Sequence, residues 1–349
     1  MSAELSRFTQ FESWCLECAR ALGVEGNITL DSVSGDASFR SYFRVGDASK
    51  SYVAVNSPPD KEKNTEFVTV AKLMAGGKVK VPGVIYFDET MGFILLEDFG
   101  DTLLLSELTV DTADVYYHKV VTSLLAIQQL KQRGGEIFSF ANYDAELLID
   151  EMNLFKQWFV GEMLGYALSE QELVLIDQVF ERLVSSAQQQ PQVFVHRDFH
   201  ARNLMVLDGN EIGVIDFQDA IIGPITYDLV SLYKDCYICW PRHKVQQWVE
   251  EYRQLAIGQL ELPVGSSEDF LKQFDLMGLQ RHLKVLGVFA RLCLRDGKTA
   301  YLKDLPLVLT YVRETCQQYS EFAAFGQWFE TSLQPLIANQ NWYGAEEQI

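Results

Sequence analysis

The chain has 349 residues, 48% of them hydrophobic and 22% charged, and a formal net charge of −19. This balance fits an ordinary globular protein with core enough for two lobes. The acidity argues against nucleic acid or an anionic membrane as a partner, since either calls for clustered Lys and Arg.

The first residues mix Glu4, Arg7 and Glu12, with no apolar core segment. No run of about 18 uncharged apolar residues follows, so a cytoplasmic protein without signal peptide or membrane span is expected. Residues 1–23 read as an amphipathic helix ending near Gly23, with Leu5, Phe8, Phe11, Cys15, Cys18 and Leu22 on one stripe. The pairs Cys15/Cys18 and Cys236/Cys239 have zinc-ligand spacing. Both also lie on apolar helical stripes, where cysteine packs as a small hydrophobe, and that is the expectation.

From about 27 to 100 the pattern becomes short strands. They are predicted at Asn27–Leu30, Phe39–Val45, Tyr52–Val55, Val84–Tyr86 and Phe93–Leu96, with a helix from Glu66 to Ala75. After Gly100 helices are predicted over 111–131, 144–167, 169–188, 243–259, 267–294 and 307–333. The expected architecture is α+β, a small N-terminal sheet lobe (1–100) and a larger, mostly helical lobe (101–349). The boundary falls at Glu97-Asp98-Phe99-Gly100-Asp101, where a cleft would offer nucleotide a place to bind.

One stretch of the second half breaks the helical pattern. Residues 196–203 read His-Arg-Asp-Phe-His-Ala-Arg-Asn, and Asp216 follows thirteen positions after Asn203. Asp198 and Asn203 have the spacing of a kinase catalytic loop, in which the aspartate accepts the attacking hydroxyl's proton. Leu204–Leu207 and Glu211–Ile215 are short apolar strands around the turn Asp208-Gly209-Asn210. Folding about Gly209 brings Asn203 beside Asp216, two oxygen ligands suited to a hard cation such as Mg²⁺. His196 and Arg197 are expected to support the loop.

At the phosphate end, Gly35, Asp36, Ala37, Ser38 and Arg40 sit between the first two strands, where backbone N–H groups and a hydroxyl suit a phosphate. The backbone of Glu97, Asp98 and Phe99 is placed to hydrogen-bond the base. The third strand, Val53-Ala54-Val55-Asn56, carries asparagine where the kinase pattern V-A-I-K has lysine, which leaves Glu66 on the next helix without its usual partner. Arg40, Arg44 and Lys61 are candidates for the missing charge. Arg197 and Arg202 are further cations that would offset the acidic field around an anionic nucleotide.

These residues resemble the aminoglycoside phosphotransferase-like family, the small-molecule branch of the protein-kinase-like fold. The likeness runs from about 25 to 310 and is most specific at HRDFHARNLM and VIDFQDAIIGPITYDLVSL. It implies that Asp228 braces the catalytic loop; read by position alone, Asp228 is an N-cap for a helix starting near Leu229. GDASFRSYFR, the lysine-free third strand, LLEDFGD, YDLVSLYKDCYICWP and RHLKVLGVFARLCLRDGK resemble, within that family, the anomeric N-acetylmuramate/N-acetylglucosamine kinases of bacterial cell-wall (peptidoglycan) recycling. The resemblance implies ATP and Mg²⁺ as cofactors, transfer of the γ-phosphoryl group to a sugar hydroxyl, and no protein partner. His200, Arg202, Asp235, Arg281, His282 and Arg295, together with Asp296, are candidate acceptor ligands. Arg281, His282 and Lys284 equally fit the polar face of a helix whose apolar stripe includes Leu279, Leu283, Leu286 and Phe289. The competing functions are a kinase for an aminoglycoside- or choline-like amine, and a non-catalytic nucleotide-binding protein.

Overall fold

The computed structural model describes residues 3–33, 39–130 and 140–344. In chain order the strands are β1 (Thr29–Ser32), β2 (Ser41–Gly46), β3 (Ser51–Asn56), β4 (Val84–Asp88), β5 (Phe93–Glu97), β6 (Gln192–Val195), β7 (Leu204–Val206), β8 (Ile212–Val214) and β9 (Ile221–Pro224). The α-helices as far as residue 318 are α1 (Ala3–Ala21), α2 (Asn64–Gly76), α3 (Leu104–Glu107), α4 (Ala113–Gln128), α5 (Ala145–Leu154), α6 (Glu170–Gln189), α7 (Tyr227–Tyr233), α8 (Arg242–Leu260), α9 (Ser267–Asp296) and α10 (Leu305–Gln318).

Packing divides the chain into two units, Met1–Gly135 with Ala201–Ala220, and Glu136–His200 with Ile221–Ile349. This grouping does not follow the expected lobe boundary at 100. Residues 101–135 and the β7–β8 hairpin go with the sheet, and local hydrogen bonds give the reason. Val206 N–H donates to the Thr102 carbonyl, Leu105 N–H to that of Ala201, and Val214 N–H to that of Lys80.

The first unit is built on an antiparallel sheet of order β1-β2-β3-β5-β4. Alternation along β3 sends Tyr52 and Ala54 into a core with Phe11, Cys15 and Ala19 of α1. Burial pushes the Cys15 thiol up to about 12 and that of Cys18 to about 11, so neither offers a thiolate at neutral pH. Asn56 shares this α1 face. Its Oδ1 accepts from Arg7 Nε at 3.0 Å, while Arg7 Nη2 donates to the Met91 carbonyl and its guanidinium lies 4.8 Å from the Phe93 ring centre. The residue in the lysine position thus ties the N-terminal helix to the sheet. The opposite face carries the cross-strand row Arg44, Val53 and Leu96.

In the second unit α9, 30 residues long, is the central element. Ser266 caps its start, and Gly297, at φ +68°, ends it in the left-handed turn that favours glycine. β6 and β9 pair antiparallel. The helix predicted over 144–167 leaves α geometry after Leu154 and continues as a π-helical stretch, Phe155–Met163. A Cβ on Gly287 of α9 would lie 2.3 Å from the Leu154 carbonyl carbon, so the backbones meet where the geometry changes. The helix predicted over 307–333 is also broken. α10 ends at Tyr319, which adopts extended geometry and donates its hydroxyl to Asp275 at 2.9 Å. The chain then turns back through Ala323–Trp328, with Gly326 packed against Cys316.

Candidate active site

The hairpin brings Asn203 and Asp216 together. β7 and β8 pair from Leu204↔Val214 to Val206↔Ile212, and Gly209 in the turn takes φ +70°. One residue beyond the strand pair, Ile215 N–H donates to the Asn203 carbonyl at 3.0 Å, which carries the register to the next residue, Asp216. Asn203 Nδ2 then donates to Asp216 Oδ2 at 3.3 Å and Gln218 Nε2 to Asp216 Oδ1 at 2.6 Å. Asp216 sits at φ +63°, a left-handed conformation that aspartate tolerates better than most residues. Phe217 stacks on Phe67 of α2 at 5.0 Å, and this holds the turn from beneath.

The donor set fits a hard cation. Asp216 contributes a carboxylate, Asn203 and Gln218 contribute amides, and the Gln218 Oε1 is buried with no hydrogen-bond partner. Such an oxygen, next to a carboxylate, suits Mg²⁺ or a similar ion. Gln218 was absent from the sequence-predicted ligands; its place two residues after Asp216 was the available signal.

Asp198 belongs to the other unit, which braces its loop from several directions. Asp228, fully buried in α7, accepts the N–H groups of His196 at 2.7 Å and Arg197 at 3.0 Å. Burial pushes its carboxyl up to about 7, with those two donors pulling the other way. α7 begins at Tyr227 and its cap position is Thr226, so Asp228 lies within the first turn rather than at the N-cap. Arg197 adopts φ +77°, a strained value for a long side chain. Its neighbours hold it there: Nη2 donates to Glu151 Oε1 at 2.5 Å, and its carbonyl accepts from Arg281 Nη1 at 3.0 Å.

Glu151 is the hub of this brace. It also accepts from Lys284 Nζ at 2.9 Å and from the Tyr143 hydroxyl. Burial opposes its ionisation, but Lys284 and Arg197 outweigh that and hold its carboxyl below the usual range. Arg281 Nη2 approaches Asp198 Oδ1 at 3.9 Å. The Asp198 side chain keeps 44% of its surface open. The protein around Asp198 still disfavours its charge through lost hydration, and the cations Arg281 and Lys284 reverse the balance, so its pKa is lowered. An ionised, accessible carboxylate results, ready to accept a hydrogen bond from a hydroxyl.

Other expected residues fall in varied places. Gly35, Asp36, Ala37 and Ser38 lie outside the described residues. Arg40 is buried, pairs with Glu62 at 3.1 Å and stacks over Phe67. Glu66 makes no ion pair among the described residues; Glu62 takes the arginine instead. Arg44 is engaged by Asp98 and Asp101. His196 is fully buried, with Nδ1 accepting from the Asp198 N–H. His200 meets Tyr237 edge-on, and its Nδ1 lacks a hydrogen-bond partner. Arg202 is half-buried.

Arg281 and His282 are not on a solvated helix face, for both are buried. His282 stacks on Tyr311 at 4.8 Å, its Nε2 lies 2.9 Å from the Lys234 carbonyl, and burial pushes its pKa down to about 3. Asp235 is buried with Oδ2 unpartnered. Arg295 and Asp296 pair with each other at the exposed end of α9, about 21 Å along the helix from Arg281. The brace residues Glu151, Tyr143, Tyr227 and Lys284 were missed as functional candidates, because only the fold brings them to the loop.

A small antiparallel sheet, a carboxylate–amide hairpin and a braced His-Arg-Asp loop define a phosphotransferase of protein-kinase-like fold. The chain belongs to the phosphotransferase enzyme family, whose pattern matches residues 29–263. It is 40% identical to the N-acetylmuramate/N-acetylglucosamine kinase of Pseudomonas aeruginosa, over 92% of this chain and 96% of that one. It is 38% identical to the kinase of the same name from Neisseria meningitidis, over 86% and 89%. Among solved structures it resembles the choline kinase LicA of Streptococcus pneumoniae, with a TM-score of 0.60, 12% identity, and 87% and 99% coverage. It also resembles the ADP-bound aminoglycoside phosphotransferase APH(2'')-Ib, with a TM-score of 0.54, 16% identity, and 90% and 99% coverage. Among the described residues no helix is long and apolar enough to cross a membrane.

Proposed function

We propose that this phosphotransferase moves the γ-phosphoryl group of ATP to the anomeric hydroxyl of N-acetylmuramate and N-acetylglucosamine. The observation that carries the reading is the 40% identity, over nearly the full length of both chains, with a kinase named for those two sugars. In the proposed reaction the C1 oxygen bonds to the γ-phosphorus as the bond to the β–γ bridging oxygen breaks, and ADP leaves. Asp198 orients the C1 hydroxyl and accepts its proton. Asn203, Asp216 and Gln218 would hold Mg²⁺, which when bound neutralises phosphate charge.

The backbone of Glu97 to Phe99 takes the base; among the described residues the Phe99 N–H has no hydrogen-bond partner. His200, Arg202 and Asp235 are the acceptor candidates that remain, and the unpartnered Asp235 Oδ2 suits a sugar hydroxyl. Arg281, His196, Arg197 and Asp228 hold the catalytic loop. Use of ATP puts the reaction in the cytoplasm.

Phosphorus NMR of reactions with Mg-ATP and each sugar tests this. The expected product is a sugar 1-phosphate. Turnover on choline or aminoglycosides with none on the N-acetylated sugars would overturn the assignment.

A further inference from the structure

The segment from Glu97 to Asp101 is held on two sides by groups of its own unit. On one side lies Arg44 of β2. Its Nε donates to Asp98 Oδ2 at 2.6 Å and its Nη1 to Asp101 Oδ2 at 2.9 Å. Its Nη2 meets Asp98 Oδ1 at 3.1 Å, the Gly100 carbonyl at 3.2 Å and Asp101 Oδ1 at 2.9 Å. All three guanidinium nitrogens are therefore committed to this segment, and none is left over for a phosphate. Asp98 completes the knot by accepting the Ser51 hydroxyl at 2.7 Å and the Gly100 N–H at 2.9 Å.

On the other side lies the metal hairpin. A Cβ on Gly213 of β8 would come within 2.7 Å of the Phe99 ring, so that ring rests directly on the strand. Lys80 lies over the Phe99 ring at 5.5 Å. Gly100 sits at φ +78° with nothing within 4 Å of a Cβ there, so packing at Gly100 itself does not fix the turn; the Arg44 grip and the Phe99 contact hold it on either side.

We propose that Arg44 is a positioning residue for nucleotide selection, a clamp that keeps the backbone of residues 97–99 in the one shape that reads the base. The inference rests on the reading that this backbone takes the base. Preorganisation is what the grip supplies. A flexible segment must be ordered when nucleotide binds, whereas a bidentate guanidinium–carboxylate grip orders it beforehand. Arginine is needed because a lysine ammonium has no planar fork with which to span two carboxylates. The grip also lies far in the sequence from the brace around Asp198, so losing it should act on nucleotide affinity and spare chemistry at saturation.

The test measures KM for ATP, KM for N-acetylglucosamine, kcat and the ATP:GTP preference for the unmodified protein, Arg44→Gln, Arg44→Lys and Asp101→Asn, with melting temperatures alongside. Arg44→Gln is expected to raise KM for ATP about tenfold and narrow the ATP:GTP preference, while KM for the sugar and kcat stay within about twofold. Arg44→Lys should recover only part of the loss. Asp101→Asn, which leaves the Asp98 pairing in place, should give a smaller rise. If KM for ATP in Arg44→Gln matches the unmodified protein, or rises in step with that for the sugar, the clamp is overturned and the kinase assignment stands. If the unmodified protein neither binds ATP in calorimetry nor turns over, the kinase assignment and the clamp fall together. If Arg44→Gln does not fold, Asp101→Asn and Ser51→Ala carry the same comparison from the clamp's other members.

Discussion

The hairpin bearing Asn203 and Asp216 and the loop bearing Asp198 fix polar side chains by opposite means. In the hairpin, one short stretch of chain from Asn203 to Asp216 does the work: two three-residue strands, a left-handed glycine and one extra backbone bond set Asn203 against Asp216. The loop is held largely by residues distant in sequence. Its strained Arg197 and its carboxylate are held by Asp228, Glu151, Arg281 and Lys284, between 30 and 87 residues away in sequence. A local device depends on backbone conformation, whereas a distant one depends on buried charges staying balanced. Each should therefore fail in its own way.

The largest effects are expected in turnover. Asp198→Ala should lower kcat by about 10²–10⁴ while ATP binding, read by calorimetry, is retained. Asp216→Asn should lower turnover at least about 10²-fold and weaken Mg²⁺ dependence in a metal titration. Unchanged turnover in either variant would remove that residue from the chemistry.

Next in size is Glu151→Gln, which leaves Arg197 and Lys284 without their buried anion. Urea denaturation should show a loss of about 3–5 kcal/mol, partly recovered when Lys284→Met is added. A loss under about 1 kcal/mol would mean the hub is not what holds the loop.

A pH series sharpens the comparison further. His282 has a folded pKa near 3 against 6.5 when free. The unfolded chain therefore binds the extra proton between those values, and the residue's contribution is intact above 6.5 and lost as pH falls. Relative to His282→Gln, the unmodified protein should lose about 1.4 kcal/mol per pH unit on acidification from 6.5 to 4. Asp228, with its pKa raised to about 7, works in the other direction, losing stability as pH rises from 3.8 towards 7. Only the difference between two proteins isolates one of them.

The smallest effect belongs to the turn of the hairpin. Gly209→Ala, at φ +70° in open space, should cost about 1 kcal/mol and leave the loop's pH response unchanged. If it disturbed the Asp198 brace as much as Glu151→Gln, the two regions would not be independent.

Much of this was legible beforehand, for identifiable reasons. The five strands of the sheet fall within a residue or two of the short runs read from the sequence, and the candidate residues Asp198, Asn203 and Asp216 stand at fixed spacings, so pattern alone pointed to them. Asn56 shows where pattern failed. Its place in the string said only that the lysine is missing; strand alternation turns it towards α1 and Arg7. Arg281 and His282 misled in another way, since charge on a helix normally marks the solvent face. Here the face is covered by the catalytic loop and by Tyr227 and Tyr311, so the charges are paired inside. The helix predicted over 307–333 failed because no local signal in Tyr319 announces a hydrogen bond to Asp275, 44 positions away.

By itself the sequence determined what short stretches of chain control: the strands, the turn at Gly209, the Asp198–Asn203 interval and the family resemblance they carry. Tertiary structure decided which charges are buried together, which arginine grips which carboxylate, and which way Asn56 points. The reason is range. Backbone preference acts over a few residues and repeats along the chain, whereas the pairing of buried charges depends on elements that meet only once the chain has folded.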